Sequence, residues 1–528
     1  MKQRITFVNN PDGDPLDPTQ IPFKDGVLSI RSWNAAKQDR ASFDFTELPQ
    51  EIWQVLKQCE ELHIRWATER PYDALAPFSS RVSPGLHIFH TPAVEGKASD
   101  QLCPLLRKAF DDGLSCSPPE DTFITSSEPS TSNPPLQFYQ TLESPQNLVT
   151  YIQQKICPES HPGCREHAIS LLSADSIDID YDSSSRSLAI SGYWSKASGE
   201  DGWMEDIRKD GTGFEKVEVG LLAAERAIDP SELSVGGFLA VVGESEKLKP
   251  TLFSFPSRHH PLPRPSKYTT SFPPPTGLHP TMKLSFPPSS LQPPTPPPDY
   301  TCALHTHLTL PSSLFADKYQ LSTTDPLFLN SHNLLSLRSI AGETDLEAPD
   351  WVVPRWGSSL LLELATPEPS PDALDQQWDV TIPLHLRYLH PSPQGTRPIS
   401  IPWPTVFWAC TTDDEVEPNP NPFDRRHLGY DPQFGPRTLF YHFNPDATTP
   451  SQDLVEEIHV PVLKIEDGQE GILQARRIEL GTVLVVVLGF VWVLWKLGVV
   501  LGREGVGRGT TGTTREERGG GGERKKDR

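Results

Sequence analysis

Residues Leu480 to Leu501 read LGTVLVVVLGFVWVLWKLGVVL, an unbroken apolar run that only a bilayer or a large protein core can cover. As a helix it would be about 33 Å long, against a hydrocarbon thickness of about 30 Å. Its one charge, Lys496, lies near the C-terminal end, where a lysine stem lets the ammonium reach the headgroups. Trp492 and Trp495 occupy the same half, as interfacial aromatics do. Core helices are rarely this apolar on every side, so the run predicts one transmembrane helix at 480–501.

Everything before that helix has to fold in water. The apolar fraction of 36% is low and the 56 prolines are many, which fits folded blocks separated by extended linkers. A net charge of −22 excludes nucleic acid as a main partner, because phosphate binding needs a basic face. The segment after the span, 502–528, is basic and glycine-rich. The opening residues MKQRITFVNN have no apolar signal-peptide core, so the C-terminal span is expected to act as the membrane signal. Arg503, Arg508, Arg515 and Arg518 follow the span and Lys464, Arg476 and Arg477 precede it, a slight bias toward a cytosolic C-terminus. The end, Lys525-Lys526-Asp527-Arg528, resembles the dilysine address that returns membrane proteins to the endoplasmic reticulum. There is no N-x-S/T sequon.

The patterning of the soluble part is mainly β. An α+β block is expected over 1–116, a Ser/Pro linker over 117–143 and a helix followed by strands over 144–256. A proline-rich linker is expected over 257–300 and a β-sandwich-like block over 301–467. Ile52, Val55, Leu56 and Cys59 share one helical face, and so do Leu148, Ile152 and Ile156 after Ser144 and Pro145. In the last block Leu304, Thr306, Leu308 and Leu310 alternate with His305 and His307. Val380, Ile382, Leu384, Leu386 and Tyr388 alternate with polar residues. Many short strands without a long amphipathic helix point to a sandwich.

The chemical motifs are few. Asp178-Ile179-Asp180-Tyr181-Asp182 contains two DxD patterns, which alternation assigns to the wet face of a strand. Cys157, His161, Cys164 and His167 have spacings open to zinc, with a helix end carrying incidental polar residues as the favoured reading. His305 and His307 are expected as exposed residues. No nucleophile–base pair, P-loop or HExxH stands out, so no catalytic, cofactor or metal site is expected. Seven cysteines leave at least one thiol unpaired. Cys302 and Cys410 flank the last block. Paired, they would close a loop of roughly 110 residues and contribute about 2–4 kcal/mol; two separate buried thiols are the alternative.

Several segments carry a family resemblance. Leu308-Thr309-Leu310-Pro311, Asp345 to Trp351, Ile382 to Tyr388 and Ile401-Pro402-Trp403-Pro404 with Cys410 resemble the PIG-X family, whose fungal members are the protease-B-nonderepressible proteins. His63-Ile64-Arg65-Trp66, Ser80 to His87 and Phe253 to His259 look like the N-terminal extension of those fungal members. The resemblance implies a non-catalytic subunit of GPI mannosyltransferase I in the endoplasmic reticulum membrane. Such a subunit stabilises the multispanning catalytic subunit that adds the first mannose to the GPI precursor, and it has no small-molecule substrate of its own. A general folding factor for several lumenal clients and a tail-anchored, cytosol-facing adaptor are the alternatives; a glycosyltransferase using the Asp178–Asp182 segment ranks last. If the chain is such a subunit, the polar face of the Val380–Tyr388 strand, with His385 and Arg387, and the nearby Trp403 and Trp408 are the expected partner contacts, since tryptophan and arginine anchor interfaces.

Overall fold

The computed structural model describes the chain apart from residues 10–16, 95–98, 126–134, 158–161, 200, 210–213, 226, 245–246, 263–265, 275–276, 344, 368–375, 414–420, 422–427, 448–452, 466–468 and 506–528. Residues Met1–His390 and Arg397–Val462 form one compact unit; Pro391–Thr396 and Leu463–Arg528 form another.

The first unit is built on an 11-stranded sheet. Across it run Lys249–Pro256, Glu232–Val242, Lys216–Glu225, Lys2–Asn9, Ala36–Asp44, Ser187–Trp194, Ser176–Asp182, Cys59–Ala67, Gly85–Pro92, Leu136–Gln140 and Ile124–Thr125. Its strands come from both sides of the expected 117–143 linker. That stretch itself supplies two of them and a short helix, Pro119–Thr122. One face carries Leu62, Ile64, Ile177, Ile179 and Ile190 and is covered by helices Gln50–Leu56, Leu102–Ala109, Gln146–Tyr151 and Pro162–Ser170. Leu148, Ile152 and Ile156 are buried there. Ser144 Oγ accepts from the Gln146 amide at 3.3 Å at the start of this helix.

The C-terminal half forms a six-stranded sheet: His259–Pro261, Leu439–His442, Thr405–Thr411, Thr301–Pro311, Gly357–Leu364 and Leu334–Gly342. A four-stranded sheet of Trp378–Pro383, Thr281–Phe286, Lys267–Ser271 and Asn444–Pro445 shares its core. Leu304, Leu308, Leu360, Leu362, Val406 and Trp408 pack there with Met282, Leu284, Phe286 and Val380, a mainly β sandwich closed by side chains alternating inward from both sheets.

The expected linker over 257–300 is corrected by this arrangement. Three strands lie within it, and Tyr268, Met282, Leu284, Phe286 and Leu291 are core residues. The strands Lys267–Ser271 and Thr281–Phe286 contain no proline, so every ladder amide is available.

The second unit contains helix Gln469–Gly505. Within Arg476–Val500 an 18-residue window has a mean hydropathy of 2.5 and is wholly unburied, so the helix is long and apolar enough to cross a membrane. Leu480, Trp492 and Trp495 are exposed along it, and the Lys496 ammonium lies 5.8 and 5.3 Å from the ring centroids of the two tryptophans. Leu501 lies in the same helix. Lys525 and Lys526 fall outside the described residues.

Candidate functional site

Strand Thr301–Pro311 is buried on both faces. Its even positions enter the sandwich core, whereas His305 and His307 point to the opposite face and are each 3% exposed. On that face Leu361, Phe407, Ala409 and Phe440 of the six-stranded sheet pack against Ala67 and Val82 from the N-terminal half, with Leu428 and Tyr430 of a loop between them. The expectation of exposed histidines is therefore corrected: a second layer covers the face that alternation left open.

This seam is apolar in outline and polar in detail. Nε2 of His87 meets the Ser83 carbonyl at 2.7 Å, and Nε2 of His307 meets Ser359 Oγ at 2.8 Å. Nε2 of His260 meets the Ser257 carbonyl at 2.7 Å, and Nε2 of His442 meets the Tyr430 hydroxyl at 2.6 Å. His259 stacks between Phe440 and His442. Gly429 has φ +91°, and a Cβ there would stand 3.1 Å from the His307 ring and 3.2 Å from Gln137 Nε2, so glycine lets the loop close over the seam.

Burial disfavours the imidazolium form throughout. It lowers the pKa of His87, His90, His260 and His305 to about 4 and that of His307 and His442 to about 3; His259 is also pushed well below its ordinary value. At neutral pH these rings are uncharged hydrogen-bonding groups.

The DxD segment is a strand, as alternation predicts, with Asp180 and Asp182 partly exposed; the expectation of a wet face is corrected at Asp178. Asp178 is 6% exposed and accepts from Arg65 Nε at 2.5 Å, while Arg65 itself is 7% exposed. Asp180 pairs with His63 Nδ1 at 3.0 Å. These carboxylates are partners of basic groups on the adjacent Cys59–Ala67 strand, in register across the ladder.

The zinc spacing resolves otherwise. Cys157 and Cys164 are joined as a disulfide, as are Cys103 and Cys116. His167 Nδ1 lies 3.0 Å from Asp39, and His161 lies outside the described residues. Among the described residues no group of three or more His, Cys, Asp or Glu side chains is placed to hold a metal. Cys302 and Cys410 face each other across the ladder and are joined, with S–S 2.03 Å. Cys59 is a buried thiol whose pKa burial raises to about 12.

The expected partner contacts turn out to be mostly interior. Trp403 and Trp408 are 2% and 4% exposed in the sandwich core, and Arg387 is 2% exposed. Arg387 Nη1 donates to the carbonyls of Asp345 and Ala348, and its guanidinium lies 4.6 Å from the Phe315 ring centroid. It cannot serve as a surface anchor because its buried guanidinium holds the 345–353 loop to the sandwich. His385, half-buried, stacks on Phe315 and lies 2.9 Å from His279 Nδ1. Arg387→Ala should destabilise the protein itself by about 3 kcal/mol, since it removes charge-assisted hydrogen bonds from buried carbonyls. Hydrogen exchange should then rise at the Asp350 amide, which donates to the Tyr388 carbonyl at 3.0 Å.

What that loop displays is an exposed apolar patch. Trp351 is 50% exposed, Val352 61% and Tyr388 68%; Tyr319, on the helix Lys318–Leu321, is 70% exposed. Trp351 stacks on His390 at 4.6 Å between centroids. Sequence reasoning passed over these residues because Tyr388 read as the end of an apolar strand face. It also left the seam residues Arg81, His87, His259 and Tyr430 without a role. The signal available was the strand Gly85–Pro92, GLHIFHTP, which has no charged side chain at any of its eight positions and so reads as buried on both faces.

Among known proteins, a family model described as PIG-X / PBN1 matches residues 275–498, from within the proline-rich stretch through most of the apolar helix. The chain is 55% identical over 515 residues to Protein pbn1 of Emericella nidulans, covering 96% of this chain and 97% of that one. It is 53% identical to Protein pbn1 of Aspergillus fumigatus, covering 98% and 99%, and 39% identical to Protein pbn1 of Neurospora crassa, covering 96% of each. Similarity of that degree along nearly the whole of both chains takes in the N-terminal strands of the seam as well as the sandwich and the apolar helix, and it places this chain in the PIG-X/PBN1 family.

Proposed function

We propose that this chain is a non-catalytic, single-pass subunit of the endoplasmic reticulum membrane that stabilises the multispanning catalytic subunit of GPI mannosyltransferase I. It thereby supports addition of the first mannose to the GPI precursor. Its β body is lumenal and its basic tail, with Lys525 and Lys526, cytosolic. The observation that carries this reading is the near-full-length similarity to Pbn1 proteins, which includes the apolar helix.

A stabilising subunit works by covering surface that its partner leaves exposed. The Trp351, Val352 and Tyr388 patch, with Tyr319, suits that task better than Arg387, Trp403 and Trp408, which the fold already occupies. Tryptophan and tyrosine at a partner contact typically lose about 2 kcal/mol or more of binding on truncation. The double variant Trp351→Ala, Tyr388→Ala should therefore weaken association with the catalytic subunit by about tenfold or more while its own abundance holds.

Depletion of this protein, followed by quantification of the catalytic subunit and of GPI-precursor lipids, tests the function. The expected result is loss of the catalytic subunit together with accumulation of unmannosylated precursor. Parallel loss of unrelated lumenal glycoproteins would favour the general folding-factor reading. Unchanged levels of both subunit and precursor would overturn the assignment.

A further inference from the structure

Arg81 is 3% exposed, and an arginine keeps its charge in any protein interior. Burying such a charge is expensive unless an opposite charge compensates it. Arg65 has Asp178 for that purpose. Arg81 has no carboxylate partner among the described residues. Its Nη2 donates to the Tyr72 carbonyl at 2.6 Å and to Asn444 Oδ1 at 3.3 Å, and its guanidinium sits 5.0 Å from the Tyr72 ring centroid. These contacts are neutral, and they leave Nε without an acceptor.

Arg81 lines a cavity of about 50 Å³ together with Ser79, Ser80, His259, His442 and Asn444. One ordered water needs only about 10–15 Å³. Two further buried polar atoms of the lining are unpartnered, the Ser80 hydroxyl and His259 Nδ1. All three unpartnered groups can donate a hydrogen bond: a guanidinium N–H, a hydroxyl, and an imidazole nitrogen in its N–H tautomer. Water would satisfy their geometry but leave the charge uncompensated, and a cation would meet the guanidinium.

We infer that this cavity binds a small inorganic anion, held by Arg81, Ser80 and His259. The residues come from two segments remote in sequence, Ala74–Arg81 and His259–Leu262, with His442 and Asn444 from the end of the sandwich. The bound anion therefore ties the N-terminal half of the first unit to the strand pair His259–Pro261 and Leu439–His442. Both segments overlap the stretches that resemble the fungal N-terminal extension, Ser80 to His87 and Phe253 to His259. The site gives them a common task, independent of any contact with a partner subunit.

The test uses the full chain in detergent micelles. Thermal unfolding is followed in sodium gluconate, whose anion is too large for the cavity, and gluconate is replaced at fixed ionic strength by chloride or by phosphate. A ligand that binds only the folded chain raises the unfolding midpoint in a saturable way. Saturation with chloride alone assigns a halide, and with phosphate alone an oxyanion; either supports the site. Ser80→Ala should shift the saturating concentration up by about tenfold, the effect of losing one hydrogen bond to a charged ligand. Arg81→Gln, where it folds, should abolish the response. A midpoint that is identical in all three salts overturns the inference. So does a Ser80→Ala protein that saturates at the wild-type concentration.

Discussion

Lowering the pH from 7 to 5 should unfold the β body cooperatively. Seven histidines are held neutral by burial, with folded pKa values near 4 for His87, His90, His260 and His305 and near 3 for His307 and His442, and a lowered value for His259. In the unfolded chain each binds a proton at about pH 6.5. Between that value and the folded pKa the unfolded state binds more protons than the folded one, so stability rises with pH through this window and is level above it. Each such histidine contributes a slope of about 1.4 kcal/mol per pH unit. If only half of them behave in this way, the summed slope is about 5 kcal/mol per unit, against a total stability of about 5–15 kcal/mol for a typical domain. Urea unfolding of the full chain at pH 7.5, 6.5, 5.5 and 4.5, followed by near-ultraviolet circular dichroism, measures it. The midpoint should fall slightly between the first two values, by the equivalent of about 1 kcal/mol, and steeply below pH 6. A midpoint that stays level down to pH 4.5 would mean that the seam admits protons without opening. A chain with the expected profile works in a near-neutral compartment, in agreement with the endoplasmic reticulum placement proposed above.

The same seam marks where the sequence is legible and where it is not. The alternation of Leu304, Leu308 and Leu310 identifies a strand and the face that enters the sandwich, because period-two patterning reports the apolar side directly. It says nothing of what covers the other side. His305 and His307 look like solvent-facing residues until a second layer is brought over them, and that layer comes from residues more than two hundred positions earlier in the chain. Asp178 is misread for the same reason: its alternation with Ile177 and Ile179 is real, but Arg65 on the neighbouring strand covers it. The 257–300 stretch fails differently. Its overall proline density hides Lys267–Ser271 and Thr281–Phe286, which contain no proline; Met282, Leu284 and Phe286 alternate within the second. A window of six residues would have shown this where a window of forty averaged it away. The apolar helix was the easiest element to read because it depends on no other part of the chain.

Asp178→Asn should be among the most damaging single substitutions in the chain, and for a reason unrelated to chemistry on a substrate. The carboxylate is 6% exposed and compensates the buried Arg65 guanidinium at 2.5 Å. Removing one member of a buried pair strands the other and typically costs about 3–5 kcal/mol, whereas replacing both by apolar side chains of similar volume is often neutral. Asp178→Asn should therefore lower the protein's own abundance and, with it, that of the catalytic subunit proposed as its partner. The double variant Arg65→Met, Asp178→Leu should recover both. Asp180→Asn, whose partner His63 is a partly exposed imidazole, should change stability by about 1 kcal/mol or less. The discriminating measurement is GPI mannosylation in cells carrying the double variant. If Asp178 serves only to neutralise Arg65, the double variant restores mannosylation along with protein level, although it has no carboxylate at that position. If both subunits return to normal abundance while mannosylation stays lost, the Asp178 carboxylate takes part in the reaction, and the non-catalytic assignment falls.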